Sequence, residues 1–406
     1  MKYLKFLFVL FILSLPLFSQ EQSFGFLGEL GGEKMNDTLW FSISLKPEVG
    51  IGPVGIGLDL PLRFSTSGEF RVEDWNSISD IFGHLRYLRL GYEKSPFYLK
   101  VGALDRVIVG HGFIMDNYYN TIDENNRKTG ILFKSDLKKF GGEFIYTNIG
   151  RPEITGIRGF VRPIKFVAEI PIISNLEIGS TYLTDLYTDT GSTKGAIGFL
   201  GFDAGLPLLS FDMLSFVLYF DYAHMNNYGS GNALGARVDF KFLMNLLNFS
   251  LKFERRNITD QFLPSYFDPF YEEQRFVKED FVKTLHSSFN GYAGELYATA
   301  LGRLQLTGRY LYFNDMKNSG VLTMILDMTK FLPDMPILVS YQRRGIESSG
   351  DLFAIDSNTI FTLSVSRKIY WKLYGTLNIE QKYEYDEETV SFDALRKYGF
   401  KLGIRL

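Results

Sequence analysis

Cysteine is absent from all 406 residues, histidine occurs four times, proline thirteen times, and charged residues make up 22% with a formal net charge of −3. Without a thiol there is no structural disulfide, no Cys-containing zinc site, no cysteine nucleophile and no acylated lipoprotein N-terminus. The histidines, His84, His111, His224 and His286, lie far apart and never at the H-x-x-x-H spacing of a metal site, so neither a metal nor a cofactor is expected. So small a net charge provides no field for a polyanion, and nucleic acid is not an expected partner. Gly50, Gly52 and Gly55 match the G-x-G-x-x-G string, but a strand follows them where a nucleotide site needs a helix, so they read as a Gly-rich turn.

Long apolar runs are missing too, with one exception. Lys2 and Lys5 precede Phe6 to Phe18, which is apolar apart from Ser14 and Pro16, and Ser19 to Gln22 is polar. That is the layout of a signal peptide, shorter than the roughly 20 residues of a spanning helix. Residues 1–19 are therefore expected to be a cleavable export signal and 20–406 a single domain.

Aromatics, by contrast, reach 16%, with 38 Phe and 24 Tyr, and glycine stands at 39. Past the signal, apolar residues recur at every second position. Val54, Ile56, Leu58, Leu60, Leu62 and Phe64 alternate with small or charged residues. Leu234, Ala236, Val238, Phe240 and Phe242 do the same, as do Leu247, Phe249, Leu251 and Phe253. A period of two places one residue set on each face of a strand. These strands are longer than the roughly five or six residues of soluble sheets and match the 9 to 11 that cross a bilayer. Compact connections such as 91–96, 135–140, 171–175, 206–213 and 243–246 alternate with longer polar ones. The expectation is an all-β fold: a closed antiparallel transmembrane β-barrel of about 16 to 20 strands, best count 20, with short turns at one end and long loops at the other. Strands are expected near 24–30, 157–170 and 396–406, among others. A soluble sheet of this size would need a larger core than single domains build.

The final strand, Tyr398, Phe400, Leu402, Ile404 and Leu406 against Gly399, Lys401, Gly403 and Arg405, resembles the closing strand of bacterial outer-membrane β-barrels. In that family the terminal residue is usually aromatic, where this chain has Leu406. The resemblance covers nearly the whole mature chain and implies an outer-membrane location in a diderm bacterium. It also implies partners: outer-membrane lipids, and the barrel-assembly machinery and periplasmic chaperones during biogenesis.

Taking the phase opposite the apolar stripes gives a candidate pore lining of Arg63, Arg89, Lys100, Arg237, Asp239, Lys241, Lys252, Glu254, Glu295, Arg309, Arg344 and Lys382. On the lipid side each charge would cost roughly 2 to 4 kcal/mol at the midplane, so their phase points them inward. Bases outnumber acids, an expectation of weak anion preference. Between Asp105 and Lys128, the residues His111, Phe113, Asp116, Asn117, Tyr118 and Tyr119 read as a constriction loop. Between Asn257 and Asn290, Phe262, Tyr266, Phe267, Phe270 and Tyr271 read as an external binding loop, followed by a charged stretch from Glu272 to Lys283 able to form a short helix. No catalytic residue is expected, because His111 with Asp116 and Asn117, or His224 at a strand end, lacks a nucleophile motif. The sequence thus points to a porin-like channel for passive or lightly selective diffusion of small hydrophilic solutes. The alternatives are a transporter of hydrophobic compounds, disfavoured by the charged inner face, and a surface binding or structural barrel acting through its loops.

Overall fold

The computed structural model of the protein describes residues 22–35, 38–76, 78–93, 95–121, 128–187, 196–242, 246–314, 316–332, 334–386 and 391–405. The expected signal peptide and Leu406 lie outside these residues. Among them, 21 runs of extended backbone form one sheet. Val54–Leu58 and Leu60–Ser65 both pair with Thr38–Ile51 in one continuous register and form a single strand interrupted at Asp59, so the barrel has 20 strands. Every strand pairing is antiparallel. Gln22–Met35 closes the sheet against Ser391–Arg405, with Gly28 opposite Ile404 and Gly31 opposite Lys401. Closure removes both sheet edges, the condition for a sheet in hydrocarbon, where an unpaired backbone group has no water to turn to.

Directly opposed residues of an antiparallel pair share a face, so the register carries the in–out assignment around the wall. Phe202 opposes Tyr222, Phe220 opposes Leu234, and Leu251 opposes Val238. These point outward, where Phe202, Leu234 and Leu251 are exposed. The outer face is an apolar belt suited to acyl chains, and the remaining set faces the interior. No helix among the described residues is long and apolar enough to cross a membrane; strands make the crossing.

The strands expected near 24–30 and 396–406 are longer, Gln22–Met35 and Ser391–Arg405, and two other boundaries shift for a reason involving proline. The strand expected from 157 to 170 is Ile154–Val161 and stops there, because Pro163 opens a 3-10 turn, Pro163–Phe166, and a second turn, Ile173–Asn175, follows Pro171. A proline has no N–H to give the ladder. The turn expected at 206–213 is shorter, since Ile197–Ser210 runs on and absorbs Pro207 in a register shift between Pro207 and Leu209. Strand lengths are uneven: Ser391–Arg405 has 15 residues and Ile197–Ser210 has 14, whereas Leu85–Leu90 and Phe97–Gly102 have six each.

The phase assignment has a direct test. Leu251→Arg, mid-strand on the outer face, is expected to destabilise the barrel by roughly 2–4 kcal/mol. Ser250→Arg, one residue away on the inner face opposite Asp239, is expected to cost under about 1 kcal/mol. Urea unfolding in phospholipid vesicles measures both, and equal costs would mean the strand faces the other way.

Candidate functional site

The connection between Phe97–Gly102 and Gly130–Asp136 enters the barrel. Val107 and Tyr118 exchange N–H···O bonds, each of 2.9 Å, making a narrow loop whose tip runs from Gly110 to Ile114. The tip requires glycine: Gly112 has φ +94°, and a Cβ there would stand 2.9 Å from the Asp116 carboxylate.

The second long connection, between Leu247–Ile258 and Phe289–Ala300, folds in against the first. Ser265 N–H donates to Phe113 O (2.7 Å), Asp116 N–H to Phe267 O (3.0 Å) and Phe267 N–H to Ile114 O (3.1 Å), forming a short parallel ribbon inside the lumen. Buried backbone needs such partners, and here each loop supplies them to the other. The helix Tyr271–Thr284 follows and meets the wall where Gln274 donates to Gln342 (3.0 Å).

Around this ribbon sits an apolar core. Phe113, Ile114, Met115 and Tyr118 pack with Phe262, Tyr266, Phe267 and Tyr271 of the second loop, and with Leu183, Phe199, Met225, Ile258 and Phe313 of the wall. Phe199 lies 5.2 to 5.5 Å from the rings of Tyr266 and Phe267. Two expectations change. Phe262, Tyr266, Phe267, Phe270 and Tyr271 are not on an outward-facing loop, since each is at most 2% exposed. Nor is the inner wall charged throughout: Leu183, Phe199, Met225, Ile258 and Phe313 of the wall pack against an inserted plug.

At the level of the tip, charge returns. Asp116 stands 3.5 Å from Arg309 and 3.7 Å from Lys252, and the Asn117 amide donates to Glu295 (3.2 Å). Lys252 also reaches Glu254 (3.0 Å) and donates to His111 O (2.6 Å). Glu254 accepts from Arg256 Nε (2.7 Å) and from the Tyr219 hydroxyl (2.7 Å). His111 stacks on Tyr219 at 4.3 Å and bonds Asp221 at 3.1 Å, not the Asp116 or Asn117 that are near in sequence. Beside them Arg158 joins Asp203 (2.6 Å), Glu177 (2.8 Å) and Glu143 (3.2 Å). Lys252, Glu254, Glu295 and Arg309 therefore converge on the loop tip: Lys252 pairs with Glu254, while Arg309 and Glu295 hold Asp116 and Asn117 of the loop.

The other proposed residues are dispersed. Arg63 pairs with Asp74 (3.0 Å), and Arg237 with Asp239 (3.3 Å). Lys100 pairs with Asp105 (3.1 Å), while Arg89 donates to Gly91 O (3.0 Å). Lys241 is exposed near a short turn, and Tyr119 is half-buried. Arg344 meets Gln274 and approaches Asp268 at 3.9 Å. The side chain of Lys382 is outside the described set.

A second ionic cluster, at the long-loop end, ties the plug to the wall. Arg275 of the helix bonds Asp185, Glu153 (2.9 Å) and Glu272 (2.8 Å), and Lys128 bonds Glu153 and Glu272. Tyr271 donates to Asp185 (2.6 Å) and Tyr118 to Glu272. Burial alone would raise the Glu153 carboxyl, but Lys128, Arg151 and Arg275 bring it down to about 2. Burial, aided by Glu272, pushes the Tyr118 hydroxyl well above its ordinary range. Arg158, Asp203, Asp221 and Arg256 were recoverable from the strand phase that yielded Glu254. Lys128, Glu153 and Arg275 sit outside the strands, where no period marks them.

Alongside the plug a cavity of about 580 Å³ follows the wall. It extends from Arg89 and Tyr98, beside the short turn at 91–96, to Gly83, Thr121 and Lys128 at the opposite end. Lys46, Arg86, Arg89, Lys100 and Lys128 line it, against Asp59 and Asp105.

The latch generates two expectations. Arg275→Gln leaves buried carboxylates short of a cation, a loss of about 3–5 kcal/mol, and hydrogen exchange of 271–284 should accelerate ahead of the wall strands. Glu153 has a folded value below the roughly 4.3 of free Glu, so its contribution is complete above that pH and disappears as pH falls through about 2. Exchange protection of 271–284, corrected for intrinsic rates, should hold from pH 7 to about 4.5 and fail near pH 2. Loss already at pH 5 to 6 would assign the latch to other groups.

No family model matches the sequence, and no curated protein matches it. Among solved structures, the chain is similar to Wzi of Escherichia coli, an outer-membrane protein involved in group 1 capsule assembly and described as a carbohydrate-binding β-barrel. Identity is 11%, over 94% of this chain and 84% of that one, with a TM-score of 0.35. It is also similar to OccK5 (OpdH) of Pseudomonas aeruginosa, at 11% identity over 95% and 97% of the two chains with a TM-score of 0.38. OprD of the same organism matches at 11% identity over 95% of each chain, TM-score 0.35. By its own geometry, with a closed wall, an apolar outer face, short turns at one end and long loops at the other, the chain has the architecture of an outer-membrane β-barrel.

Proposed function

We propose that the protein is a porin-like outer-membrane channel in which the inserted plug confines small hydrophilic solutes to a side passage with a weak preference for anions. The observation that carries this reading is the 580 Å³ cavity beside the plug, lined by five cations and two carboxylates and reaching from the short-turn end toward the loop end. The described loops pack side chains into the lumen beside it, and this cavity supplies a route along the wall. Fixed positive charges in a narrow low-dielectric passage raise the local concentration of anions and lower their entry barrier. Lys100 with Asp105, Lys46 with Asp59 at 3.6 Å, Arg86 with Glu48 and Lys128 with Glu153 and Glu272 hold most of that charge in pairs, which keeps the preference mild.

On this reading His111, Phe113, Asp116, Asn117, Tyr118 and Tyr119 act as the constriction. Lys252, Glu254, Glu295 and Arg309 anchor that constriction, and Arg89 and Lys100 contact the permeating ion.

Planar-bilayer recording tests it. The native channel is expected to show a small conductance with anions favoured over cations. Deleting residues 112–119 should enlarge the conductance, whereas Arg89→Glu with Lys100→Glu should abolish or invert the selectivity at nearly unchanged conductance. A native protein that conducts nothing, or one that prefers cations strongly, would overturn the proposal, and liposome swelling with solutes graded by size and charge gives an independent reading.

A further inference from the structure

A second cavity, of about 280 Å³, lies between the helix Tyr271–Thr284 and the wall strands Leu304–Phe313, Gly320–Asp327 and Ile337–Ile346. It shares no lining residue with the side passage. At roughly 30 Å³ per water it has room for about nine, yet much of its surface repels water. Leu263, Phe281, Leu285, Leu311, Phe313 and Val321 form one side.

The opposite end is cationic. Lys278, Arg309 and Arg344 converge there against one carboxylate, Asp268. Lys278 takes most of that carboxylate, at 2.7 Å, and also donates to Tyr266 O at 2.8 Å. Arg344 reaches Asp268 only at 3.9 Å, and its buried Nε has no hydrogen-bond partner. Arg309 reaches its nearest carboxylate, Asp116, at 3.5 Å, and Asp116 is shared with Lys252. Arg344 thus borders the cavity with less negative charge than it needs, and Arg309 stands beside it with carboxylate neighbours, Asp116 and Glu295, that do not line the cavity. Buried cations in this position are expensive unless an anion joins them. A guanidinium is matched by a planar, two-oxygen anion, which it binds through paired N–H donors.

We propose that this cavity is a binding site for an amphiphilic monocarboxylate, whose head sits between Arg309 and Arg344 and whose hydrocarbon body lies along the Leu311, Phe313 and Val321 side. An apolar wall with a few convergent polar groups at one end is the usual construction of a small-molecule site, and the volume suits a short acyl chain or a single ring rather than a two-chain lipid. The proposal goes beyond the channel reading and does not rest on it, because binding is measured without conductance. A molecule lodged here would touch the helix that belongs to the plug.

The test is calorimetric titration of the full-length protein in lipid nanodiscs, with empty nanodiscs subtracted to remove partitioning into lipid. Octanoate and 3-phenylpropionate are the probes, with octan-1-ol and acetate as the neutral and headgroup-only comparisons. Saturable one-to-one binding of at least one acid is expected, with octan-1-ol and acetate each at least about tenfold weaker, consistent with charge-assisted hydrogen bonds supplying the difference. Octanoate alone would assign an acyl chain, and 3-phenylpropionate alone an aromatic acid. Arg344→Gln should weaken the bound acid about tenfold, and Val321→Phe, which fills the cavity without altering charge, should abolish binding. Folding of each variant is checked by its faster migration in unheated gels, and if Arg344→Gln does not fold, Val321→Phe decides. No saturable binding of either acid, equal binding of octan-1-ol and the acids, or unchanged affinity in Val321→Phe would overturn the proposal.

Discussion

Backbone hydrogen bonding is the constraint on which the rest of the structure depends. In hydrocarbon no N–H or C=O finds water, so the wall closes on itself, and Gln22–Met35 meets Ser391–Arg405. The same requirement reappears inside, where two chain segments that leave the strands would carry unsatisfied groups into a packed interior. They resolve it by bonding each other, Ser265 to Phe113 and Phe267 to Ile114. Only after those bonds are in place can the interior be apolar.

Charge is then arranged in two tiers. One surrounds the tip of the first loop, where Asp116 lies between Lys252 and Arg309. The other holds the helix to the rim through Arg275 and Lys128. Neither tier repeats the pattern of an open pore lined by solvated charges. The inner surface of this barrel is a packed protein interior in one part and borders a cavity lined by basic side chains in another.

The wall is legible in the sequence and the plug only in part, its first loop from Asp105 to Lys128 being readable as a constriction but not its pairing with the second, for one physical reason. A strand's face is written locally, in alternate residues, so Phe253 outward and Glu254 inward could be assigned without knowing their neighbours. The best strand count, 20, followed from the same local period. What fills the barrel depends on contacts between distant segments. Leu183 and Phe199 oppose each other on the inner face and are fully buried, while Tyr182 and Leu200 beside them point outward. That stretch is apolar on both faces, and its alternation alone does not say which side meets lipid. His111 lies close in sequence to Asp116 and Asn117, yet its partner is Asp221, 110 residues away. The aromatics from Phe262 to Tyr271 read as a surface cluster because nothing local says that the loop at 103–121 covers them.

The ribbon joining the two inserted segments has a consequence for biogenesis. Its Ser265 to Gly112 bond spans 153 residues, and the strands from Gly130–Asp136 to Leu247–Ile258 must already stand in order before those residues can meet. Contacts of such high sequence separation form late. Until then Phe113 and Met115 are bare hydrophobic side chains in an unfinished cylinder, and arrival of the second segment is what sequesters them.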